Sequence, residues 1–213
     1  ANPTGTALDN AQMRDLFDAC DQRGGSLIAD EIYQDLVFEG DVSSILAHTD
    51  RALVMNSFSK YFGMTGWRLG WLVAPQHLVP ELEKIAQNLF ISSAAPSQYA
   101  ALAAFEPATQ ALLADRKKEF GERRNFLLQA LRSLGFKIDA EPTGAFYIYA
   151  NIRDISNLDA REFCLRLLEE QGVAITPGAD FGDHLASEHV RFAYTTSLER
   201  IEEAVSRLKI FLG

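Results

Sequence analysis

A lysine placed directly after an apolar run is the first feature with chemical promise. In ALVMNSFSKYFGMTGWRLGW, Ala52 to Trp71, an unbroken apolar stretch turns polar around Lys60, and Arg68 follows. Upstream, SLIAD ends on Asp30, and ADEIYQDLVF adds the phenol of Tyr33. A parallel strand that ends in a carboxylate delivers it to the carboxyl edge of the sheet, where open α/β folds place their ligands. Lys60 also follows a strand, so the same edge is its expected position. Small polar and aromatic neighbours can desolvate its ammonium and lower its pKa, as a nucleophilic amine requires. Each group also has a plainer use. Asp30 could cap a helix or join a surface salt bridge, Tyr33 could pack, and Lys60 could be a solvated charge.

These groups need strands and helices to hold them. Leu8 to Arg23 reads as a helix, with Asp9 at its start, Leu16, Phe17 and Cys20 in a stripe, and Gly24-Gly25 as its stop. SLIAD, Arg51 to Asn56 and Leu69 to Ala74 are compact runs suited to a sheet covered on both faces. That alternation predicts a layered α/β domain. Gln76 to Phe90 and Ser97 to Phe105 are expected to be helical, and a long pattern runs from Ala108 to Leu134. Beyond it, Phe136 to Ile138, Ala145 to Ala150 and His189 to Tyr194 read as strands. Asp159 to Gln171 reads as a helix capped by Asp159 and stopped by Gly172, and Ser197 to Leu212 as an amphipathic helix. A boundary near Lys118 would divide the chain into residues 1–118 and a small α+β domain, 119–213.

Composition narrows the function class. The chain has 213 residues, 47% of them hydrophobic and 23% charged, enough to bury a sizeable core. Its 20 Lys+Arg against 29 Asp+Glu give a formal charge of -9, with no basic cluster of the kind a phosphate backbone needs. Nucleic acid is not an expected partner. Apolar runs are short and broken by charges, and ANPTGTALDN lacks the basic and apolar regions of a signal peptide, so the expected location is the cytoplasm, away from membranes. Cys20 and Cys164 have neither metal-ligand spacing nor a disulfide framework and read as buried free thiols. His48, His77, His184 and His189 fall in no motif and read as structural or exposed.

The motifs, taken in order, resemble a known family. NPTG at Asn2 to Gly5, DEIY at Asp30 to Tyr33, and SFSK at Ser57 to Lys60 with GMTGWRLGW after it are similar to the signature order of fold-type I, class I and II aminotransferases. PTGAFY at Pro142 to Tyr147, TPGADFG at Thr176 to Gly182 and VRFAY at Val190 to Tyr194 extend the resemblance over almost the whole chain. It implies part of a three-layer α/β large domain followed by a small domain, dependence on pyridoxal 5'-phosphate, and transfer of an α-amino group between an amino acid and a 2-oxo acid.

The resemblance also implies roles. Lys60 would form the Schiff base with the cofactor aldehyde and move a proton between the substrate's α-carbon and the cofactor. Asp30 would pair with the pyridine nitrogen and keep the ring an electron sink. Asn2 and Tyr33 would hydrogen-bond the ring's phenolic oxygen, while Ser57 and Arg68 would hold the phosphate. Arg191 would clamp the substrate carboxylate in a bidentate pair that lysine cannot reproduce. Phe146 and Tyr194 are possible lining residues, with core packing the commoner use of such side chains.

Family members carry a long half upstream of NPTG, so the chain reads as a carboxy-terminal part of a longer protein. The missing half would bring further phosphate donors, a stacking aromatic and more sheet strands. A homodimer is expected, since open sheet edges seek partners. No arginine occurs between Arg68 and Arg116, which disfavours one family route to aspartate or glutamate recognition. Two alternatives share the motifs: a carbon–sulfur lyase on the same scaffold, and a non-catalytic ligand-binding regulatory domain.

Overall fold

The computed structural model describes residues 1–213. The chain forms two units, residues 8–117 and residues 1–7 together with 118–213.

The first unit starts with helix α1, Asn10–Asp21. Asp9 accepts from the amides of Ala11 and Gln12, and the Gln12 side chain accepts from the Asp9 amide in return, a reciprocal capping box. Three short strands follow: β1, Ile28–Asp30, β2, Leu53–Ser57, and β3, Gly70–Val73, in the order β1-β2-β3. β1 and β2 run parallel, with Asp30 beside Met55, whereas β2 and β3 are antiparallel, with Ser57 opposite Gly70. Leu27, Ala29, Ile45, Ala52 and Val54 form a core under α1, which contributes Met13, Phe17 and Cys20. A second cluster joins Phe58 to Ala101 and Ala104, with Phe62, Met64 and Leu69 around it. The helices of this part are α2, Val79–Phe90, and α3, Ala95–Leu102.

Expected cover on both faces of the sheet is only half met. Ala29 and Val54 are buried under α1, but Ile28 and Met55, which alternate onto the opposite face, are exposed, as are Trp71, Leu72 and Val73 of β3. Helix α2 buries none of its residues, although Pro80 starts it and its sequence is amphipathic.

The chain passes between its units inside one continuous helix, α4, Pro107–Ser133. The second unit holds β4, Tyr147–Asn151, β5, Thr176–Pro177, and β6, His189–Ala193, all antiparallel in the order β4-β6-β5. Helices α5, Ala160–Gln171, and α6, Leu198–Leu212, complete it. α5 is capped by the Asp159 carboxylate and stopped by Gly172 in a left-handed conformation. Alternation along the strands separates the sheet's faces. Ile148, Ala150, Val190 and Phe192 are buried, and Phe136, Phe163, Leu167, Ile201 and Leu208 are buried in the same unit. Tyr147, Tyr149, His189 and Arg191 occupy the other face.

Three sequence-based expectations need correction. Residues 1–7 group with 118–213, not with 8–118, because their hydrogen bonds run there. Gly144 donates its amide to Gly5 O at 2.8 Å, and Ala7 donates its own to Thr143 Oγ1 at 3.1 Å. Gly5 has φ +71, and a Cβ there would lie 2.5 Å from the Tyr147 carbonyl, so glycine alone permits this approach. Phe136 to Ile138 is not a strand; Lys137 makes a single bridge to Asn151 before the chain bends at Asp139 and Ala140 and leaves the ladder. Cys20 is half-buried, not fully so, while Cys164 is buried, and both thiols are free.

No helix is long and apolar enough to cross a membrane.

Leu167 has no exposed surface, so Leu167→Ala is expected to destabilise the 118–213 unit by about 2–5 kcal/mol, read as a lower urea midpoint. Burial pushes the Cys164 thiol up to about 12, with the Asp180 carboxylate adding to it. A thiol so shifted stays protonated through the alkaline range, and the thiolate is the reactive form. Under native conditions at pH 8, iodoacetamide should therefore spare Cys164 and modify it once urea unfolds the chain; mass mapping of both cysteines checks this.

Candidate active site

In the 8–117 unit, the parallel pairing of β1 with β2 brings two chemically distinct groups to one end of a sheet. Asp30 closes β1, and the amide of the next residue, Glu31, donates to Met55 O at 2.9 Å, which keeps the pairing to its last rung. The two adjacent carboxylates then part company. Glu31 is buried and accepts from Ser44 Oγ at 3.1 Å and the Ile45 amide at 2.9 Å, holding the loop that carries the buried Ile45. Asp30 is exposed, accepts the Ile32 amide at 3.1 Å in its own turn, and makes no salt bridge within its unit. An acceptor with an uncommitted oxygen at a strand end suits a cationic or N–H group of a ligand.

Lys60 lies three residues beyond the end of β2. It is half-buried, and its Nζ stands 5.6 Å from the centroid of the Tyr33 ring, so the structure brings together the lysine and the phenol that the sequence singled out. Phe58 and Phe62 anchor the turn from beneath, their rings 4.9 Å apart and Phe58 set edge-on to Trp71 at 5.0 Å.

Ser57 and Arg68 flank the same connection between β2 and β3. Ser57 Oγ lies 3.0 Å from both Leu69 O and Ser59 Oγ, and accepts the Ser59 amide at 3.0 Å. Its single proton serves one acceptor at a time. Arg68 is exposed, forms no salt bridge, and donates Nη1 to Thr65 O at 3.0 Å. Its backbone is left-handed, with φ 51, a conformation rare outside glycine that concentrates where chemistry is done.

The 1–7 and 118–213 unit holds a second constellation around Arg191 on β6. Nη1 donates to Asn2 Oδ1 at 2.8 Å and Nη2 to Thr176 Oγ1 at 3.2 Å. The guanidinium lies between two aromatic rings, with Cζ 4.3 Å from the centroid of Tyr147 and 4.6 Å from that of Phe181. Nε is buried and has no hydrogen-bond partner. Five N–H bonds are available on a guanidinium, and neutral acceptors take two here, so the fork retains donors in its own plane. A cation held by rings and neutral oxygens, without a carboxylate, is built to receive an anion.

Asn2 and Arg191 thus sit in one unit, and Asp30, Tyr33, Ser57, Lys60 and Arg68 in the other. Sequence reasoning missed Ser59 beside Ser57, and Tyr147, Thr176 and Phe181 around Arg191. For Tyr147 a signal was present: strand alternation sets it on the face of Arg191, whereas Phe146 precedes β4, with its ring 6.0 Å from that of Phe120 on α4. Tyr194, the other lining candidate, is fully buried with its hydroxyl toward the carbonyls of Gly144 and Ala145, and burial pushes its phenol up. His189 is structural. Its ring stacks on Tyr149 at 4.8 Å, and its nitrogens meet Leu185 O and Asp139 Oδ2.

A family model described as "Aminotransferase class I and II" matches residues 1–208. A (5-formylfuran-3-yl)methyl phosphate transaminase of Methanocaldococcus jannaschii is 37% identical over 100% of this chain and 56% of its own length. A valine–pyruvate aminotransferase of Mycobacterium tuberculosis is 39% identical over 100% of this chain and 55% of its own. The crystal structure of an aminotransferase from Mycobacterium tuberculosis superposes with a TM-score of 0.95 at 38% identity, covering 100% of this chain and 55% of that one. The chain therefore spans about half the length of the relatives it matches.

Proposed function

The chain belongs to the class I and II aminotransferase family, and on that premise we propose that it contributes to the transfer of an α-amino group between an amino acid and a 2-oxo acid, with pyridoxal 5'-phosphate as cofactor. The observation that carries this reading is the shared strand end of Asp30 and Lys60, with Tyr33 beside the lysine.

The side chains fit such a group in kind. Its aldehyde calls for a primary amine, its ring nitrogen for a carboxylate, its phenolic oxygen for donors and its phosphate for a cation. Lys60, Asp30, Tyr33 with Asn2, and Arg68 with Ser57 meet these needs in turn. When bound, pyridoxal 5'-phosphate supplies a carbonyl that accepts the amino group and a ring that stabilises negative charge at the α-carbon. Lys60 anchors it and carries the proton at the substrate's α-carbon. Asp30 keeps the ring nitrogen protonated, a role open to a carboxylate that has no cation within its own unit. Arg68 adds the charge-assisted contact to phosphate, with the Ser57 hydroxyl beside it. Asn2 commits its Oδ1 to Arg191 and retains its amide N–H donors for the phenolic oxygen.

Arg191 receives the substrate carboxylate through the N–H groups that Asn2 and Thr176 leave available. Tyr147 and Phe181 fix the plane of the guanidinium, so a bidentate partner pays little ordering entropy. Substrate side-chain preference lies beyond these residues; relatives of nearly equal identity differ in the substrates their names carry.

A second copy of the chain is the proposed partner. α2 ends in an apolar run, with Leu89 76% and Ile91 82% exposed, and Tyr99, Leu102, Phe105 and Leu112 are exposed as well. Solvated apolar surface of this extent marks an interaction face. The cytoplasm is the proposed compartment, in keeping with two free thiols.

Four measurements test this reading. Incubation with pyridoxal 5'-phosphate, borohydride reduction and peptide mapping should label Lys60, with Lys60→Ala as control; labelling spread over surface lysines would sink it. With an amino donor and a 2-oxo acid present, Arg191→Lys should reduce kcat/KM by about 10²-fold or more, the loss of a bidentate charge-assisted pair. Pyruvate and ammonia released with no acceptor would favour the lyase reading instead. Light scattering should give a dimer mass, and Leu89→Glu should shift it toward monomer.

A further inference from the structure

We infer that Arg116, on α4, is a positioning residue for Lys60: its guanidinium ties down the turn that carries the lysine by taking the Tyr61 carbonyl and filling the space left by Gly63. This rests on the reading of Lys60 as the cofactor anchor.

The turn can be accounted for carbonyl by carbonyl, since a backbone oxygen without a donor is a loose point in a tight loop. Phe58 O accepts the Met64 amide at 2.9 Å, and Lys60 O accepts the Gly63 amide at 3.0 Å. Ser59 O accepts the Thr65 hydroxyl. Each of these donors is a neighbour within the turn. The Tyr61 carbonyl is different: it accepts Arg116 Nη2 at 2.7 Å, across 55 residues of sequence. That bond ties the backbone one residue beyond Lys60 to α4.

Gly63 completes the fit. It has φ +70, and a Cβ there would lie 2.7 Å from Arg116 Nη2 and 2.8 Å from Nη1. The guanidinium thus occupies the volume a side chain would take, and the left-handed backbone favours glycine in any case. Arg116 is half-buried and forms no salt bridge, so charge pairing does not explain its place. The Tyr61 side chain is half-buried. Burial raises its phenol above the usual range, the Asp35 carboxylate pushes the same way, and Arg116 pulls it back. α4 carries this tie, with Leu113 buried close by in sequence.

Hydrogen exchange on the full chain, followed by mass spectrometry without cofactor, tests the tie directly. In Arg116→Met the peptide spanning Phe58–Met64 should exchange about tenfold faster, the factor a charge-assisted bond of ordinary strength gives, while peptides from β1 and α1 stay unchanged. Arg116→Lys should recover part of the protection. Gly63→Ala should loosen the same peptide, and adding it to Arg116→Met should loosen it by less than the two changes made separately, because the clash with the guanidinium is gone and only the strain at φ +70 is added. Borohydride trapping should show Lys60 labelled more slowly in Arg116→Met while other lysines keep their rates. Unchanged exchange in that variant, or acceleration spread evenly over residues 8–117, would overturn the inference. Failure of Lys60 to label in the unsubstituted chain would instead strike the functional reading, with the exchange result still deciding the tie.

Discussion

The parallel pairing of β1 with β2 is the constraint on which the lysine-bearing unit depends. Antiparallel neighbours send their ends to opposite edges, whereas parallel ones deliver theirs to the same edge. A carboxylate that closes one strand and an amine that follows the next therefore come to one side of the sheet with no further device. The register is held by burial of Ala29 and Val54 under α1 and by the last rung between Glu31 and Met55. A slip of one residue would turn the buried pair to solvent and move Asp30 off the edge. Glu31 adds a second restraint, since its buried carboxylate needs Ser44 and Ile45 to remain satisfied.

The two constellations manage charge in different ways. Around Lys60 the restraint falls on the backbone: aromatic rings beneath the turn, short local hydrogen bonds, and one guanidinium from α4. Around Arg191 it falls on the side chain itself, which is gripped by two ring faces and two neutral oxygens. A carboxylate partner in the same place would have fixed the arginine equally well but would have neutralised it. Rings and neutral oxygens orient the cation and leave its charge to be used.

Local chemistry was legible in the sequence, and long-range partnership was not. Asp9 and Asp159 could be named as caps, and Gly172 as a stop, because a cap is satisfied within a few residues. The strand runs around Asp30 and Lys60 were recognisable from composition alone. The environment of Arg191 was hidden for the opposite reason. Phe181 reaches it from a loop and Thr176 from a strand of two residues, and neither has a periodic signal. Phe136 to Ile138 has the apolar pattern of a strand, yet the bend at Asp139 and Ala140 leaves it a single bridge. Cover on both faces of the β1-β2-β3 sheet was a sound inference from its apolar runs. Ile28 and Met55 have no helix over them in this chain, so what the runs recorded was a need for burial.

The placement of residues 1–7 bears on how the chain must be assembled. Their partners lie far along the sequence: Ala7 bonds Thr143 across 136 residues, and Asn2 bonds Arg191 across 189. During synthesis the NPTG segment leaves the ribosome well before the strands that will hold it, and it must stay unpaired while residues 8–117 are made. Contacts of such separation form late and slow the closing steps of folding. Asn2 and Arg191 can meet only once residue 191 has been made, so a chain stopped before it would carry the Lys60 turn without the Asn2–Arg191 contact.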